Sequence, residues 1–379
     1  MAYDKYQMTY DKSEPTFDSP SIKQATHSLA LRARKYASLQ LCFPISPFLQ
    51  WASYYQRETT MTNRRQFIQA ASAAGLLAAA NSAEASKTKL DCIDCHTHFF
   101  DPTRPEGIPW PRKGSKLYRK VLPEHLRQQV AAVPLTGTVI IEASHRLEDN
   151  QWLLDVAAKD PFVVGIVGRL KPGSKDFPKN LKRFTANKLW RGIRVGEGVI
   201  TKPNKTTLRH LAMLAESGRQ LDVNGGPTNP AKCGMLAKKI PNLRICVNHV
   251  GNLTIDGKQP PKLWRDGMAL AATGKNVYCK VSALMYGAKR VKPKPPETID
   301  FYRPVLDHLW KCFGEDRLIY GSDWPVSDSA CTYRQQHQLV LNYFATRGGN
   351  ALAKFFALNA KRAYKWQERK GRREKYLLP

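Results

Sequence analysis

Short runs of β-branched and other apolar residues recur from residue 90 onward, separated by longer segments in which apolar residues return every three or four positions. Most of the short runs are apolar throughout, which is typical of strands buried on both faces of a parallel sheet. The pattern predicts eight strands: Cys92–His96, Thr138–Ala143, Val163–Val167, Gly192–Val195, Leu221–Asn224, Arg244–Asn248, Val277–Val281 and Leu318–Gly321.

The segments between these runs carry the start and stop signals of helices. The clearest predicted helices are Glu148–Lys159, Thr206–Ser217, Pro230–Lys239, Tyr302–Phe313 and Thr332–Thr346. Gly218, Gly314 and Gly348 follow three of them at positions where helices commonly end. Eight strand–helix units in about 275 residues have the count and length of a single-domain α/β fold, the (β/α)8 TIM barrel. A doubly wound open sheet is the competing arrangement.

The first 85 residues are predicted to lie outside the barrel. Residues 63–68 read Asn-Arg-Arg-Gln-Phe-Ile, a twin-arginine pattern, and an uncharged stretch over 70–80 leads to Ala83-Glu84-Ala85. This order of basic, apolar and small residues is typical of a cleaved export signal. We therefore interpret 61–85 as a twin-arginine-type signal peptide and expect export to the periplasm.

These signals predict four segments in the chain. Residues 1–60 form an upstream segment, interpreted either as an over-extended translation before Met61 or as a membrane anchor around Tyr36–Gln56. The signal peptide at 61–85 follows, then the barrel at 86–366, and the basic C-terminal tail at 367–379.

The net charge of the chain indicates what kind of molecule it binds. Lys and Arg number 60 against 31 Asp and Glu, which gives the 379-residue chain a net charge of +29. This charge is spread over the body of the chain, without the base-and-aromatic stripe, helix-turn-helix or zinc-finger spacing of nucleic-acid-binding proteins. We therefore expect an anionic small-molecule substrate and no nucleic acid. The sequence contains no run of eighteen strongly apolar residues, so no transmembrane segment is predicted. The oligomeric state is left open.

Polar residues stand at three of the predicted strand ends. The first strand ends in Asp94-Cys95-His96-Thr97-His98, in which His96 and His98 share one side because strand residues two apart do so. The sixth strand leads into His249, and the eighth into Asp323. Because barrel active sites lie at the carboxyl ends of the strands, these four side chains are expected to meet at one opening.

Cys92-Ile93-Asp94-Cys95-His96 also matches the C-x-x-C-H signal of covalent haem attachment. Haem requires both thiols on one side of a turn or helix, whereas residues three apart in a strand face opposite sides. The same geometry disfavours a Cys92–Cys95 disulfide. Cys246 and Cys279, inside predicted strands, are interpreted as small core residues.

Several motifs resemble those of a known family. The segments HTHFFDP at 96–102, NHVGN at 248–252 and DRLIYGSDWPV at 316–326 look like the amidohydrolase-2 (amidohydrolase-related) family, as do GTVIIEAS, DNQWLLDVA and NVYCKVS between them. Within it, they most resemble the TIM-barrel hydrolases that include sugar-acid and dicarboxylate lactonases. The resemblance spans about 90–366 and implies hydrolysis of a lactone, less often of an amide or ester.

The resemblance also implies roles for the four polar residues. It matches His96, His98, His249 and Asp323 to metal-binding or water-activating positions. The fifth strand lacks the further His of many metal-dependent members, and the fourth offers Arg194 rather than a bridging Lys or Glu. A two-metal site is therefore not expected; one divalent ion such as Zn²⁺, held by His96 and His98, and a metal-free site both stay open.

The hypothesis is a lactonase in which Asp323, with His249, activates water as general base. Arg194 and Lys280 are candidates to stabilise the oxyanion and bind substrate; a buried ion pair is the alternative for both. Lys289 and Arg290 follow the seventh strand and are candidate substrate ligands, with a solvated basic loop as the alternative. A decarboxylase of the same superfamily and a non-catalytic barrel that binds anionic glycans are the alternative functions.

Aromatic and neighbouring polar residues complete the candidates. Trp110 and Trp324 could stack on a sugar ring, with a core position favoured for Trp324. His145 is interpreted as a solvated loop residue that could also line the mouth, and Glu142 as a structural or mouth residue.

Overall fold

The structure is a barrel of eight parallel strands. The computed structural model describes residues 91–130, 133–348 and 350–376, so the predicted signal peptide and the predicted upstream segment lie outside the described residues. The strands follow one another around the sheet in chain order: β1 Ile93–Thr97, β2 Gly137–Ile141, β3 Val163–Gly168, β4 Trp190–Gly196, β5 Gln220–Asn224, β6 Arg244–Val247, β7 Val277–Val281 and β8 Leu318–Tyr320. All seven neighbouring pairs are parallel.

The residues just after β8 bring the last strand to the first. Thr97 and Trp324 form a parallel bridge. The amide of Asp323 donates to the carbonyl of His96 at 2.8 Å, and the amide of His98 donates to the carbonyl of Trp324 at 2.9 Å. The predicted eight-stranded barrel is confirmed, and the doubly wound alternative is excluded by a strand order that runs from one to eight without a reversal.

Helices follow the strands on the outside of the barrel. Their bounds are α1 Pro123–Gln129, α2 Asp149–Lys159, α3 Phe177–Thr185, α4 Gly198–Thr201, α5 Lys205–Glu216, α6 Asn229–Lys239, α7 Lys262–Thr273, α8 Leu284–Lys289, α9 Ile299–Phe313, α10 Tyr333–Ala345, α11 Ala351–Ala353, α12 Asn359–Tyr364 and α13 Arg372–Tyr376. The five helices predicted from sequence are α2, α5, α6, α9 and α10, with bounds shifted by three residues at most.

The helix ends show why these segments fold locally. The side chain of Asn204 accepts the amide hydrogen of Thr207 at the start of α5, and Thr332 caps α10 in the same way through the amide of Gln335. Each cap satisfies a backbone donor that a helix start leaves without a partner. Gly314 ends α9 with φ +61, a conformation that costs glycine little.

The C-terminal segment packs against the barrel beyond residue 366. The amide of Gln367 donates to the carbonyl of Val164 at 2.8 Å, and Arg369 donates to the carbonyl of Val163 at 2.8 Å. Arg372 is fully buried and pairs with Asp91 and Glu368. The basic segment after 366 is thus anchored next to the starts of β1 and β3.

The cysteines fit the strand geometry. Cys92 and Cys95 are free and buried in two separate core clusters, so their thiols lie on opposite faces of β1. This arrangement provides neither a haem attachment nor a disulfide. Cys246 and Cys279 are buried core residues, as predicted. Within the part of the chain that the structure describes, no helix is long and apolar enough to cross a membrane.

Arg372→Ala is expected to lower the free energy of unfolding by about 3 kcal/mol, because it removes the bidentate partner of Asp91 and leaves that carboxylate in a largely buried position. Arg373 in the same helix is the matched control. Its side chain is 59% exposed, so Arg373→Ala should cost less than about 1 kcal/mol. Urea titrations of the full chain measure both values, and equal losses would contradict the anchoring role of Arg372.

Candidate active site

Three imidazoles surround one carboxylate at the carboxyl end of the barrel. The Oδ1 atom of Asp323 lies 3.4 Å from Nε2 of His98 and 3.7 Å from Nε2 of both His96 and His249. All four side chains are buried. The expectation that these residues meet at one opening is met by their geometry.

The backbone that presents two of these side chains is strained. Asp323 has φ +62 and His249 has φ +51, and Val250 follows with φ +48. Residues other than glycine rarely adopt this left-handed region, and β-branched valine is especially disfavoured there. Such strain persists only where the surrounding structure enforces it, and it is common at functional sites.

Asp94 is one of the groups that enforce this backbone. Its Oδ1 accepts the amide hydrogens of His96 at 3.0 Å and Ser322 at 2.9 Å, and its Oδ2 accepts the hydroxyl of Tyr333 at 2.9 Å. One fully buried carboxylate therefore ties the end of β1 to the segment that carries Asp323. The sequence pattern pointed to the histidines beside Asp94 and gave no sign of this bridging role.

Two of the imidazoles are oriented through Nδ1. His98 Nδ1 lies 3.0 Å from the carbonyl of Ile141, and His249 Nδ1 lies 2.9 Å from Oγ of Ser282. A carbonyl oxygen only accepts, so His98 carries a hydrogen on Nδ1, and its neutral ring presents the Nε2 lone pair to Asp323. Lone pairs that face each other repel, so this contact is favourable only when a cation, either a proton or a metal ion, lies between the two atoms.

Lys280 lies behind His96. Its Nζ is 3.1 Å from Nδ1 of His96 and 2.8 Å from Oδ2 of Asp222, and all three residues are fully buried. Tyr364 donates its hydroxyl hydrogen to the carboxylate of Asp222, with both oxygens at 3.0 Å. An ammonium group only donates, so Lys280 donates to Nδ1 of His96, and a neutral His96 ring then carries its hydrogen on Nε2.

Lys280 is therefore not placed to bind substrate. The sequence suggested it as a substrate ligand, with a buried ion pair as the alternative. The structure shows the ion pair with Asp222, and Lys280 does not line the cavity at the barrel mouth. Its contact is with His96, so it acts on the site through that ring.

The surroundings set the charge of the cluster. Burial holds the pKa of His96 well below its usual range, and the charge of Lys280 adds to this. Burial also lowers the pKa of His249 to about 4, although Asp323 opposes the shift. Burial alone would raise the pKa of Asp323, but His249, His98 and Arg194 together lower it. At neutral pH, the cluster is thus an ionised Asp323 beside neutral His96 and His249 rings.

The donor atoms fit one divalent ion with one reservation. Ligand atoms of His96, His249 and Asp323 lie within 4.8 Å of one another. The separations of 3.4 and 3.7 Å around Asp323 Oδ1 compare with about 3.4 Å between ligands of tetrahedral zinc. His249 and Asp323 could present lone pairs to an ion. The Nε2 of His96, which is buried without a partner, carries a hydrogen as long as Lys280 donates to Nδ1.

A cavity of about 360 Å³ opens above Asp323. Trp110 and Arg194, two predicted substrate ligands, line it together with His98, His249 and Asp323. Its other lining residues are Glu142, Ala143, Ser144, His145, Arg169, Asn224, Asn252, Tyr286 and Val326.

One carboxylate positions two cations in this cavity. Nε of Arg194 donates to Oε1 of Glu142 at 2.9 Å, and Nη1 of Arg169 donates to the same oxygen at 3.2 Å. The side chains of Arg194, Arg169 and Glu142 together carry one net positive charge. The ion pair that the sequence left open for Arg194 is therefore formed, and Arg194 still borders the cavity. His145 is exposed and also lines it.

The remaining candidates lie elsewhere. Nζ of Lys289 donates to the carbonyl of Ser329, and Nη1 of Arg290 donates to the carbonyl of Asn252 at 2.6 Å. Neither side chain lines the cavity. Trp324 is buried in the core, in agreement with the favoured interpretation.

Sequence reasoning missed Arg169, Asn224, Asn252 and Tyr286 as cavity residues. Arg169 and Asn224 stand at the ends of β3 and β5, so the rule that pointed to His96 could have included them. Asn252 lies beyond the end of β6 and Tyr286 in the short helix α8 after β7, and their placement depends on how these segments fold.

Comparisons with known proteins show the family of this chain. The model of the family described as Amidohydrolase matches residues 93–366. An L-fucono-1,5-lactonase from Burkholderia ambifaria is 31% identical over 247 residues, which are 62% of this chain and 80% of that protein.

Two solved structures share the fold. An amidohydrolase from Burkholderia multivorans with bound zinc has a TM-score of 0.64 at 21% identity, over 73% of this chain and 99% of that one. A probable 2-pyrone-4,6-dicarboxylic acid hydrolase from Acinetobacter baumannii with bound citric acid has a TM-score of 0.58 at 17% identity, over 73% of this chain and all of that one.

The contact of Lys280 with His96 predicts an effect on zinc affinity. In the double variant Lys280→Met/Asp222→Asn, Nδ1 of His96 is free to hold the proton and Nε2 to bind an ion. We expect zinc to bind about 10-fold more tightly than to the unmodified chain. Titration calorimetry measures the affinity, and circular dichroism verifies folding.

Tyr364→Phe is the control for this measurement. It removes a hydroxyl from Asp222 but keeps Lys280 on His96, so its zinc affinity should equal that of the unmodified chain. Equal zinc affinities for the double variant and the unmodified chain would show that Lys280 does not restrict His96.

Proposed function

Because this chain belongs to the amidohydrolase family, we propose that it is a hydrolase that opens the lactone of a sugar acid or of a related carboxylate-bearing compound. The observation that carries the proposal is the ionised Asp323 carboxylate beside three imidazoles on a cavity of about 360 Å³. The similarity to an L-fucono-1,5-lactonase supports the lactone as the reacting group.

Asp323 is the general base in this proposal. Its pKa lies below the usual range for Asp, so it is ionised at neutral pH and accepts a proton from water as the water oxygen attacks the lactone carbonyl. The imidazoles of His98 and His249 border the same oxygen of Asp323 and hold the water in place through their Nε2 atoms.

His96 is fully buried and does not line the cavity, so it acts on the site through Asp323, which lies 3.7 Å from its Nε2. Arg194 borders the cavity and donates from its wall to the charge that develops on the carbonyl oxygen. Donors fixed before the reaction stabilise an oxyanion without reorganising. The tetrahedral intermediate then breaks the bond between the carbonyl carbon and the ring oxygen. The ring oxygen takes the proton from Asp323, and the product is an open hydroxy acid.

A divalent ion would be held by His96, His249 and Asp323, whose ligand atoms lie within 4.8 Å of one another, once the hydrogen has left Nε2 of His96, and when bound it would polarise the lactone carbonyl. The guanidinium of Arg194 at the cavity wall offers a similar stabilisation from the chain itself. We therefore propose that hydrolysis does not depend on an ion.

The electrostatics of the cavity support an anionic substrate. Arg194 and Arg169 share the single carboxylate of Glu142, which leaves a positive charge for a substrate carboxylate. The chain as a whole carries +29, which attracts anions to the mouth.

Asp323→Asn is expected to lower kcat/KM for lactone hydrolysis by about 10³-fold, because an amide cannot accept the proton from water. The assay follows acid release from L-fucono-1,5-lactone, D-glucono-1,5-lactone and 2-pyrone-4,6-dicarboxylate, corrected for uncatalysed opening. Asp328→Asn is the matched control: that side chain pairs with Arg119 and does not line the cavity, so the rate should not change.

The same assay separates the alternatives. Full activity of Asp323→Asn would eliminate Asp323 as the base. Release of CO₂ in place of acid would indicate a decarboxylase. Binding of anionic glycans without turnover of any lactone, ester or amide would indicate a non-catalytic barrel.

Dialysis against a strong chelator is expected to leave kcat unchanged, since Arg194 supplies the stabilisation of the oxyanion. Metal content is measured by elemental analysis before and after treatment. Loss of activity on chelation, with recovery on adding zinc, would show that an ion rather than Arg194 stabilises the oxyanion.

A further inference from the structure

A second cavity adjoins the first at the barrel mouth. It measures about 520 Å³ and shares His145 and Arg169 with the cavity above Asp323. Its other lining residues come from the loops after β2 and β3, from the end of β4 and from the helices α3 and α4. The two cavities are therefore neighbouring compartments over adjacent strand ends, with the exposed His145 and the guanidinium of Arg169 at their boundary.

The first cavity is already large enough for a one-ring lactone. Sites of about 300 to 1,000 Å³ bury most of a drug-sized ligand, and the first cavity alone reaches about 360 Å³. A single sugar-acid lactone placed against Asp323 leaves the second cavity without an occupant. The adjoining space is therefore available to a further part of a larger substrate.

The lining of the second cavity combines apolar and polar side chains. Leu147 and Val199 are half-buried apolar residues, while Lys171 and Asp176 are exposed and Asn180 is half-buried. The side chains of Lys171, Asp176 and Asn180 form no ion pair or hydrogen bond with other described residues, so their donors and acceptors are free to meet a ligand.

This combination matches a sugar ring better than an alkyl chain. A pyranose offers apolar C–H faces and hydroxyls that both donate and accept. An alkyl chain would cover Asp176 and Asn180 without replacing their hydrogen bonds to water, which costs free energy. A carboxylate group alone would offer no apolar surface to contact Leu147 and Val199.

We propose that the substrate is a sugar-acid lactone that carries a second sugar ring, with the lactone against Asp323 and the glycosyl unit in the second cavity. The proposal rests on the proposed lactonase function and adds its substrate class. His145 and Arg169 then border the linkage between the two rings.

The test compares one-ring with two-ring lactones of the same reacting ring. The one-ring probe is D-glucono-1,5-lactone; the two-ring probes are the 1,5-lactones of cellobionic, lactobionic and melibionic acid, whose second ring is attached at O4 or O6. We expect at least one two-ring lactone to show a kcat/KM about 10-fold or more above that of the one-ring lactone, mainly through KM. Equal or lower values for all three overturn the proposal.

A cavity-filling variant tests where the second ring binds. Val199→Trp places a large side chain in the second cavity only, so kcat/KM should fall about 10-fold more for the preferred two-ring lactone than for the one-ring lactone. Val291→Trp makes the same exchange at a position that is 47% exposed and lines neither cavity, and both rates should stay the same. An equal effect of Val199→Trp on both lactones, in protein shown to be folded by circular dichroism, overturns the assignment.

Failure of this proposal can be distinguished from failure of the lactonase function. If Asp323 is required for opening the one-ring lactone but no two-ring lactone is preferred, only the extended substrate is wrong. If none of the lactones is opened in an Asp323-dependent reaction, the proposed function and the proposal built on it are both wrong.

Discussion

The structure depends on how a buried negative charge is accommodated. Asp323 is nearly inaccessible to solvent, and an isolated carboxylate in that position would be costly. His249, His98 and Arg194 lower the pKa of Asp323 and so favour its ionised form, and the imidazoles of His96, His98 and His249 reach it from the ends of β1 and β6. The barrel is what brings these distant segments together, and the positive φ of Asp323 and His249 is the local conformational cost of aiming both side chains at one point.

A second set of buried charges, Lys280 and Asp222, acts on the cluster around Asp323. Lys280 and Asp222 form an ion pair inside the barrel, and Lys280 also contacts Nδ1 of His96. The pair therefore influences which nitrogen of His96 carries its hydrogen, and through it whether that ring donates a hydrogen bond or binds an ion. Paired charges also act at the cavity wall. There, Arg194 and Arg169 share the carboxylate of Glu142, and two cations on one carboxylate leave a positive charge for a ligand.

In the proposed function, the reacting group and the rest of the substrate are recognised by different parts of the molecule. Strand ends hold Asp323 and the imidazoles rigidly, as is usual in barrels, while the loops above them form the walls. The end of β4 and the segments that follow β2, β3 and β4 create the second cavity, and its boundary residues His145 and Arg169 belong to both compartments. The family membership of the chain accounts for the cluster at the strand ends, and the particular segments that follow the strands in this chain determine the second cavity.

The sequence by itself determined the eight strands, the barrel and the four residues of the cluster, because continuous apolar runs, helix caps and strand-end polar residues are local signals. The motifs around His96 and Asp323 also indicated the family, which the match over 93–366 confirms. Local signals could not show that Lys280 would pair with Asp222, that Asp94 would hold Ser322, or that Lys289 and Arg290 would bond to backbone carbonyls away from the cavity. Those contacts join residues from different strands and loops, so only the tertiary structure decided them.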